Sequence, residues 1–334
     1  MMRWVCIGFL LSSLWPVWAD EPAFYRIARQ SNGVELSWGP DAQPCIVEQA
    51  ASLTDAYVFA SSVVTTRSSF LSAPQAAAFF RLEAVAPAGF EDLALERMVR
   101  EALGSAKLWP TGSVYDVELR LLTNLTADSL AITNLAGLQY ATSLRSLSVR
   151  ENSLSDFSPI SGLRSLQELY ANGNQIAETW FFTNLVDLTV LDVGHNNLRD
   201  LSPLARLTQL QYLYVDDNVL THFNGLNSLS GLRELFGQNN QVVDLSALAG
   251  LNQLTWLVLG GNQLSSLDPL AGLLALNHLD LGNNPGVTNI EALLLNAADG
   301  GLGSNDEVGL FGNTGIPPAQ VQSLKDFGVT VYGP

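Results

Sequence analysis

Apolar residues return along most of this chain at a fixed interval of 22 residues. Leucine opens successive units at Leu144, Leu166, Leu188, Leu210, Leu232, Leu254 and Leu276, and leucine stands again at the fourth position of each, from Leu147 to Leu279. The ninth position is asparagine throughout: Asn152, Asn174, Asn196, Asn218, Asn240, Asn262 and Asn284. Further apolar residues follow at positions eleven, fourteen, seventeen and twenty, as in Leu198, Leu201, Leu204 and Leu207. Positions three to seven alternate with the period of a strand, so four and six point inward while three, five and seven point outward. One strand per unit, stacked unit on unit, predicts a parallel sheet. The asparagine falls where the chain leaves the strand, and its amide suits the orphan backbone groups of the neighbouring coil. Ser158-Pro159, Ser202-Pro203 and Asp268-Pro269 place a capping residue before proline, the start of a helical turn. So short a coil leaves room only for a 3₁₀ turn.

Stacked units need caps. Phe90 to Leu103 reads as a helix with Leu93, Met98 and Leu103 on one side, ending at Gly104. An atypical coil from Leu122 keeps Leu125, Ile132, Leu135 and Leu138 but carries Leu130 in the asparagine slot. After Leu276 the spacing slips, with Ile290 and Leu293 one residue late, and Gly300 to Ser304 interrupts the coil. Val308, Leu310 and Asn313 restore the pattern; Val321, Leu324 and Phe327 predict a closing helix, Val329 and Val331 a last strand.

The repeat L-x-x-L-x-L-x-x-N-x-L resembles the leucine-rich repeat, in the 22-residue form of the internalin-like bacterial subgroup, over roughly 89–332. The resemblance implies an α/β repeat solenoid with a parallel β-sheet on its concave face, short 3₁₀ turns on its convex face and shallow curvature. It also implies recognition of another macromolecule, often a protein. No wall-anchor motif or downstream module is visible before Pro334, so adhesion to host cells is not implied.

Residues 20–86 follow a different grammar. Val34, Leu36 and Trp38 alternate with polar positions after Asn32-Gly33, a hairpin signal. Cys45 to Gln49, Ala56 to Ala60, Val63 to Thr66 and Phe79 to Val85 are further strand candidates, punctuated by Gly39-Pro40-Asp41 and Pro74. The segment resembles a small all-β module of the fibronectin type III or immunoglobulin-like sort. Ahead of it, Arg3, the apolar run Trp4 to Leu14, Pro16 and the small residues Val17 and Ala19 have the layout of an export signal cleaved after Ala19. The expected organisation is a signal peptide at 1–19, the β-module at 20–86, a linker and helical cap at 87–121, repeats at 122–304 and a capping coil at 305–334. The mature chain is then expected outside the cytoplasm, secreted, periplasmic or at the cell surface.

Composition narrows the function. The chain is 47% hydrophobic and 14% charged, enough to bury a large core. Loss of Arg3 with the signal leaves 15 basic against 32 acidic side chains, a formal charge of −17. That surface repels phosphate backbones and anionic headgroups, so neither nucleic acid nor a membrane is the expected partner. Cys6 leaves with the signal, and Cys45 alone cannot form an internal disulfide; it reads as a small buried hydrophobe.

The search for catalysis is negative. His195, His222 and His278 form no metal-binding pair at helical spacing and read as surface histidines. There is no G-x-S-x-G, P-loop or G-x-G-x-x-G motif, and Gly300-Gly301-Leu302-Gly303 follows no strand-to-helix pattern. Asp216-Asp217 with Asp192 one coil earlier could share a calcium ion, but solvated acids are the commoner outcome. No enzyme activity, cofactor or metal is expected.

One feature rises above this background. The outward third positions read Ser146, Glu168, Val190, Tyr212, Glu234, Trp256 and His278; the fifth read Ser148, Tyr170, Asp192, Tyr214, Phe236, Val258 and Asp280. Tyr212, Tyr214, Phe236 and Trp256 therefore fall on three consecutive strands about 4.8 Å apart. Exposed aromatic rings gain by being covered, and Trp and Tyr are enriched at interface hot spots. Cross-strand stacking that only stiffens the sheet is the competing reading. The expected binding surface is Tyr170, Asp192, Tyr212, Tyr214, Glu234, Phe236 and Trp256, with a protein as partner. A glycan stacked on the rings, or a passive envelope or matrix element, are the alternatives.

Overall fold

The computed structural model describes residues 87–104 and 114–333 in full, and six strands between residues 26 and 84 by their backbone. The residues fall into two compact units, Met1–Ala88 with Leu103–Leu119 and Gly89–Ala102 with Arg120–Pro334. The export signal, Trp38, the Gly39-Pro40-Asp41 and Pro74 punctuation and the linker residues 85 and 86 lie outside the described residues.

In the first unit the strands are β1 (Arg26–Gln30), β2 (Gly33–Ser37), β3 (Cys45–Ala50), β4 (Val58–Val64), β5 (Ser68–Ser72) and β6 (Phe79–Ala84). They form two antiparallel three-stranded sheets, ordered β1-β2-β5 and β4-β3-β6. The hairpin after the Asn32 signal closes with Gln30 opposite Gly33, one residue earlier than Asn32-Gly33 suggests. Two strand candidates, 56–60 and 63–66, are one continuous strand, β4. The mostly polar β1 and β5 carry too weak an alternation to be read from sequence.

The second unit opens with helix α1 (Leu93–Leu103). Asp92 caps it, its Oδ1 accepting from the N–H groups of Ala94 and Leu95 at 3.0 and 3.1 Å. The buried side is Leu95, Val99 and Leu103, an i, i+4, i+8 stripe, whereas Leu93 is 78% exposed. Of the side expected from sequence, Leu93, Met98 and Leu103, only Leu103 is buried; Met98 is half-buried and Leu93 faces solvent. Apolar residues stand on both sides of this short helix, and periodicity alone cannot choose between them.

Ten parallel strands follow: β7 (Asn124–Thr126), β8 (Ser146–Ser148), β9 (Glu168–Tyr170), β10 (Val190–Asp192), β11 (Tyr212–Tyr214), β12 (Glu234–Phe236), β13 (Trp256–Val258), β14 (His278–Asp280), β15 (Glu307–Gly309) and β16 (Thr330–Tyr332). They lie in chain order in a single sheet. Each residue pairs with its repeat equivalent, as Leu191 does with Leu169 and Leu213. Position four is buried in every coil from Leu147 to Leu279, and positions eleven, fourteen, seventeen and twenty close the core beneath it. Where the pattern carries Gly237 at an inward position, a Cβ would lie 2.8 Å from the Phe223 ring, so the larger ring fills the space the glycine gives up.

The asparagine ladder accounts for the turn out of each strand. Asn196 Nδ2 donates to the carbonyls of Ala171, Val193 and Gly194, while its Oδ1 accepts from Ile176 N–H at 2.8 Å. Asn152, Asn174, Asn218 and Asn240 repeat this set on their own coils. Side chain replaces water for backbone groups that no strand partner reaches.

The return segments are 3₁₀ turns, among them Ser158–Ile160, Ser202–Arg206 and Asp268–Leu270. Their capping groups sit two residues earlier than the sequence suggests. Asp156, Asp200 and Asp244 accept from the N–H of Ser158, Ser202 and Ser246, and Ser266 Oγ accepts from Asp268 N–H. The last coil is longer: Asn284 N–H reaches Asn313 Oδ1 across 29 residues, and the extra chain forms helix α2 (Glu291–Ala298). The apparent slip of one residue at Ile290 marks this helix. Helix α3 (Pro318–Asp326) and β16 close the stack, with Val321 and Leu324 buried but Phe327 turned outward, 42% exposed. Among the described residues no helix is long and apolar enough to cross a membrane.

Candidate functional site

Because inward positions are fixed by the core, the outward positions of the same strands are free to differ. In the third-position column Tyr212 pairs with Glu234, Glu234 with Trp256, and Trp256 with His278. In the fifth, Tyr170 pairs with Asp192, Asp192 with Tyr214, and Tyr214 with Phe236. All seven expected residues therefore stand on the outer face of β9 to β13. Each is half-buried except Trp256, which is exposed.

The rings form a stack across four strands. Tyr214 and Phe236 lie 4.9 Å apart at 24°, Phe236 and Trp256 6.4 Å at 19°, and Trp256 and His278 3.8 Å at 17°. His278, read from sequence as an ordinary surface histidine, extends the row, and its Nδ1 lies 3.2 Å from Glu307 Oε2. Rings this parallel turn their faces to one another.

Carboxylates border the row. Tyr214 Oη donates a long 3.4 Å hydrogen bond to Glu234 Oε2. Burial, followed by the Glu234 charge, pushes the Tyr214 phenol up to about 12. Arg150, two residues past the end of β8, sets its guanidinium 4.4 Å above the centre of the Tyr170 ring, with Nε 4.0 Å from Asp192 Oδ2. Burial raises the Asp192 carboxyl, opposed by the Gly194 N–H and by Arg150.

Residues 252–294 match the family model described as leucine-rich repeats in two copies. The chain is a leucine-rich-repeat protein. Among solved structures, it is similar to internalin C2 from Listeria monocytogenes, 31% identical, covering 56% of this chain and 92% of that one with a TM-score of 0.46. A leucine-rich-repeat protein from Leptospira interrogans is 22% identical, with coverage of 64% and 62% and a TM-score of 0.50, a likeness of fold. The functional domain of InlJ from Listeria monocytogenes is 20% identical, with coverage of 71% and 58% and a TM-score of 0.42. No curated protein matches the chain.

Within these leucine-rich repeats, position eight adopts left-handed backbone in coil after coil, at Glu151, Gly173, His195, Asp217, Asn239 and Gly261. This turn gathers a cluster different from the one expected. His195 Nε2 lies 3.5 Å from both Asp216 Oδ2 and Asp217 Oδ2, and the three ligand-type atoms fall within 4.8 Å of one another. Asp192 does not join Asp216 and Asp217 there. Asp192 instead accepts from Gly194 N–H and approaches Arg150. Asp216 lies across Gly194, where a Cβ would come within 2.7 Å of its Oδ1. His195 is exposed, and the two aspartates beside it are half-buried. The contact between Arg150 and Tyr170 was also missed, because it joins position seven of one coil to position five of the next. A column-by-column reading compares only like positions.

Proposed function

We propose that the protein is an extracytoplasmic binding protein that recognises a partner protein through the outer face of its strands. The reading rests on one observation: four aromatic rings lie across four consecutive strands, with Trp256 37% exposed among them. Large rings at solvent reward a partner that covers them, and such residues carry much of the energy of interfaces. Export is supported by the signal-like residues 1–19, and a partner that is neither nucleic acid nor an anionic membrane by the formal charge of −16. A small β-module ahead of the repeats suits a spacer. We read the protein as a binder and not as an enzyme.

A glycan partner is disfavoured by the stack itself. Sugars pack on the faces of aromatic rings, and here Trp256 and His278 cover each other at 3.8 Å. The test uses mature protein to capture partners from extracellular and envelope fractions, alongside the variant carrying Tyr214→Ala and Trp256→Ala, and a glycan array. We expect a protein captured by the parent and lost from the variant, with a nearly unchanged thermal midpoint. A variant that captures as well as the parent, or a glycan hit that replaces the protein, overturns the reading.

A further inference from the structure

Past the ends of β10 and β11, two successive coils bring one imidazole and two carboxylates together. His195 directs Nε2 at Asp216 Oδ2 and Asp217 Oδ2 of the next coil, 3.5 Å from each. That separation is too long for a well-formed hydrogen bond. It is close to the roughly 3.3–3.4 Å between ligands set about 2.0–2.1 Å from a tetrahedral zinc. The ring nitrogen and one oxygen from each aspartate all lie within 4.8 Å of one another, the one such convergence of three ligand groups among the described residues. His278 by contrast pairs through Nδ1 with Glu307 and stacks on Trp256, and His222 Nδ1 meets the Thr221 hydroxyl. Residues outside the trio set its carboxylates. Asn239 Nδ2, one coil further on, donates to Asp217 Oδ1 at 3.1 Å and leaves Oδ2 to face His195. Gly194 gives Asp216 its room, since a Cβ there would come within 2.7 Å of Oδ1.

We propose that His195, Asp216 and Asp217 form a zinc site that ties two coils together and leaves a fourth ligand position to water. The site stands apart from the aromatic row and does not rest on the docking reading. The imidazole decides the class of metal. Asp192 in its place would complete an all-oxygen set of the kind calcium prefers, but Asp192 turns to Gly194 and Arg150 instead. A ring nitrogen beside two carboxylates moves the preference to borderline divalent ions of the first transition row. Zinc takes three protein ligands of these types and holds water at its remaining tetrahedral position. The two aspartates are adjacent in sequence and carry like charges into one small space, so a divalent ion between them replaces repulsion with attraction. His195 and Asp217 each hold left-handed backbone, with φ near 50°, and this fixes the direction from which both side chains approach.

The probe is zinc chloride, titrated into the full mature chain and followed through the imidazole Cε1–H resonances of its three histidines. One equivalent should move the His195 resonance and leave those of His222 and His278 in place. Calcium chloride should leave all three in place. That readout needs no variant. By calorimetry, His195→Asn should weaken zinc binding about a hundredfold, and Asn239→Ala, which frees the Asp217 carboxylate, about tenfold. His222→Asn should leave it unchanged. Asparagine tolerates left-handed backbone, so His195→Asn keeps the turn. Zinc should raise the thermal midpoint of the parent and not that of His195→Asn. Three results overturn the proposal: a His195 resonance that zinc does not move, one that calcium moves equally, or equal zinc binding by parent and His195→Asn. The metal would then be held by scattered carboxylates of an acidic chain. None of these results bears on partner capture, because the Tyr214/Trp256 double variant leaves the three ligands intact.

Discussion

The two faces of the same strands obey opposite rules. Inward, the seven repeats opening at Leu144 to Leu276 each carry leucine at position four and asparagine at position nine, and the structure buries them all. Outward, one column runs serine, glutamate, valine, tyrosine, glutamate, tryptophan, histidine without repeating a rule. The interior is uniform because each coil must fit the next with the same volume and the same hydrogen bonds. The outer face carries no such demand, so a clustering of rings there needs another cause. Folding information thus lies in what is constant along the stack, and the proposed binding role rests on what is not.

The contrast breaks most visibly at the asparagine ladder. Asn196→Ala removes one buried acceptor and donors to three buried carbonyls, and should cost about 3–4 kcal/mol in urea unfolding. Asp200→Ala, which strips the cap from the 3₁₀ turn at Ser202, should cost about 1 kcal/mol by the same assay. Trp256→Ala on the outer face should cost less again, about 0.5 kcal/mol of ring stacking. A Trp256 variant as unstable as the Asn196 variant would show that the rings hold the sheet together, and the functional reading of the row would lose its basis.

The smallest effect is one of pH. The Tyr214 phenol is raised to about 12 from the ordinary 10.0, so the folded state holds this proton more tightly than the unfolded chain. The contribution is fully present below pH 10 and is lost as pH rises through about 12. Ultraviolet titration of the phenolates should show Tyr214 among the late-ionising tyrosines, and Glu234→Gln should lower it by the part that the Glu234 charge contributes, leaving the part due to burial. A Tyr214 that titrates unchanged in that variant would place the Glu234 carboxylate away from the hydroxyl.

The repeat, the parallel sheet, the 3₁₀ turns and the membership of each outward column were legible in the sequence, because period-two alternation locked to a fixed 22-residue spacing leaves one solution. What escaped it depends on side-chain reach. Arg150 reaches Tyr170 on the next coil, His278 tilts onto Trp256, and His195 leans toward Asp216 and Asp217. Only Leu103 of the expected side of α1 is buried, for a related reason: a helix with leucines on both sides is decided by what it packs against. The turn caps were displaced because Asp156 and Asp200 act over two residues, ahead of the proline that draws the eye.

The central claim, that binding belongs to the outer strand face, is tested most directly by site-specific photo-crosslinking in the presence of captured partner. A photoreactive residue replaces Val258 on β13 in one sample, and Ala249 on the return segment in the other. The account predicts a partner adduct from position 258 and none from position 249. An adduct from position 249 alone would put the partner on the opposite side of the coils and contradict it.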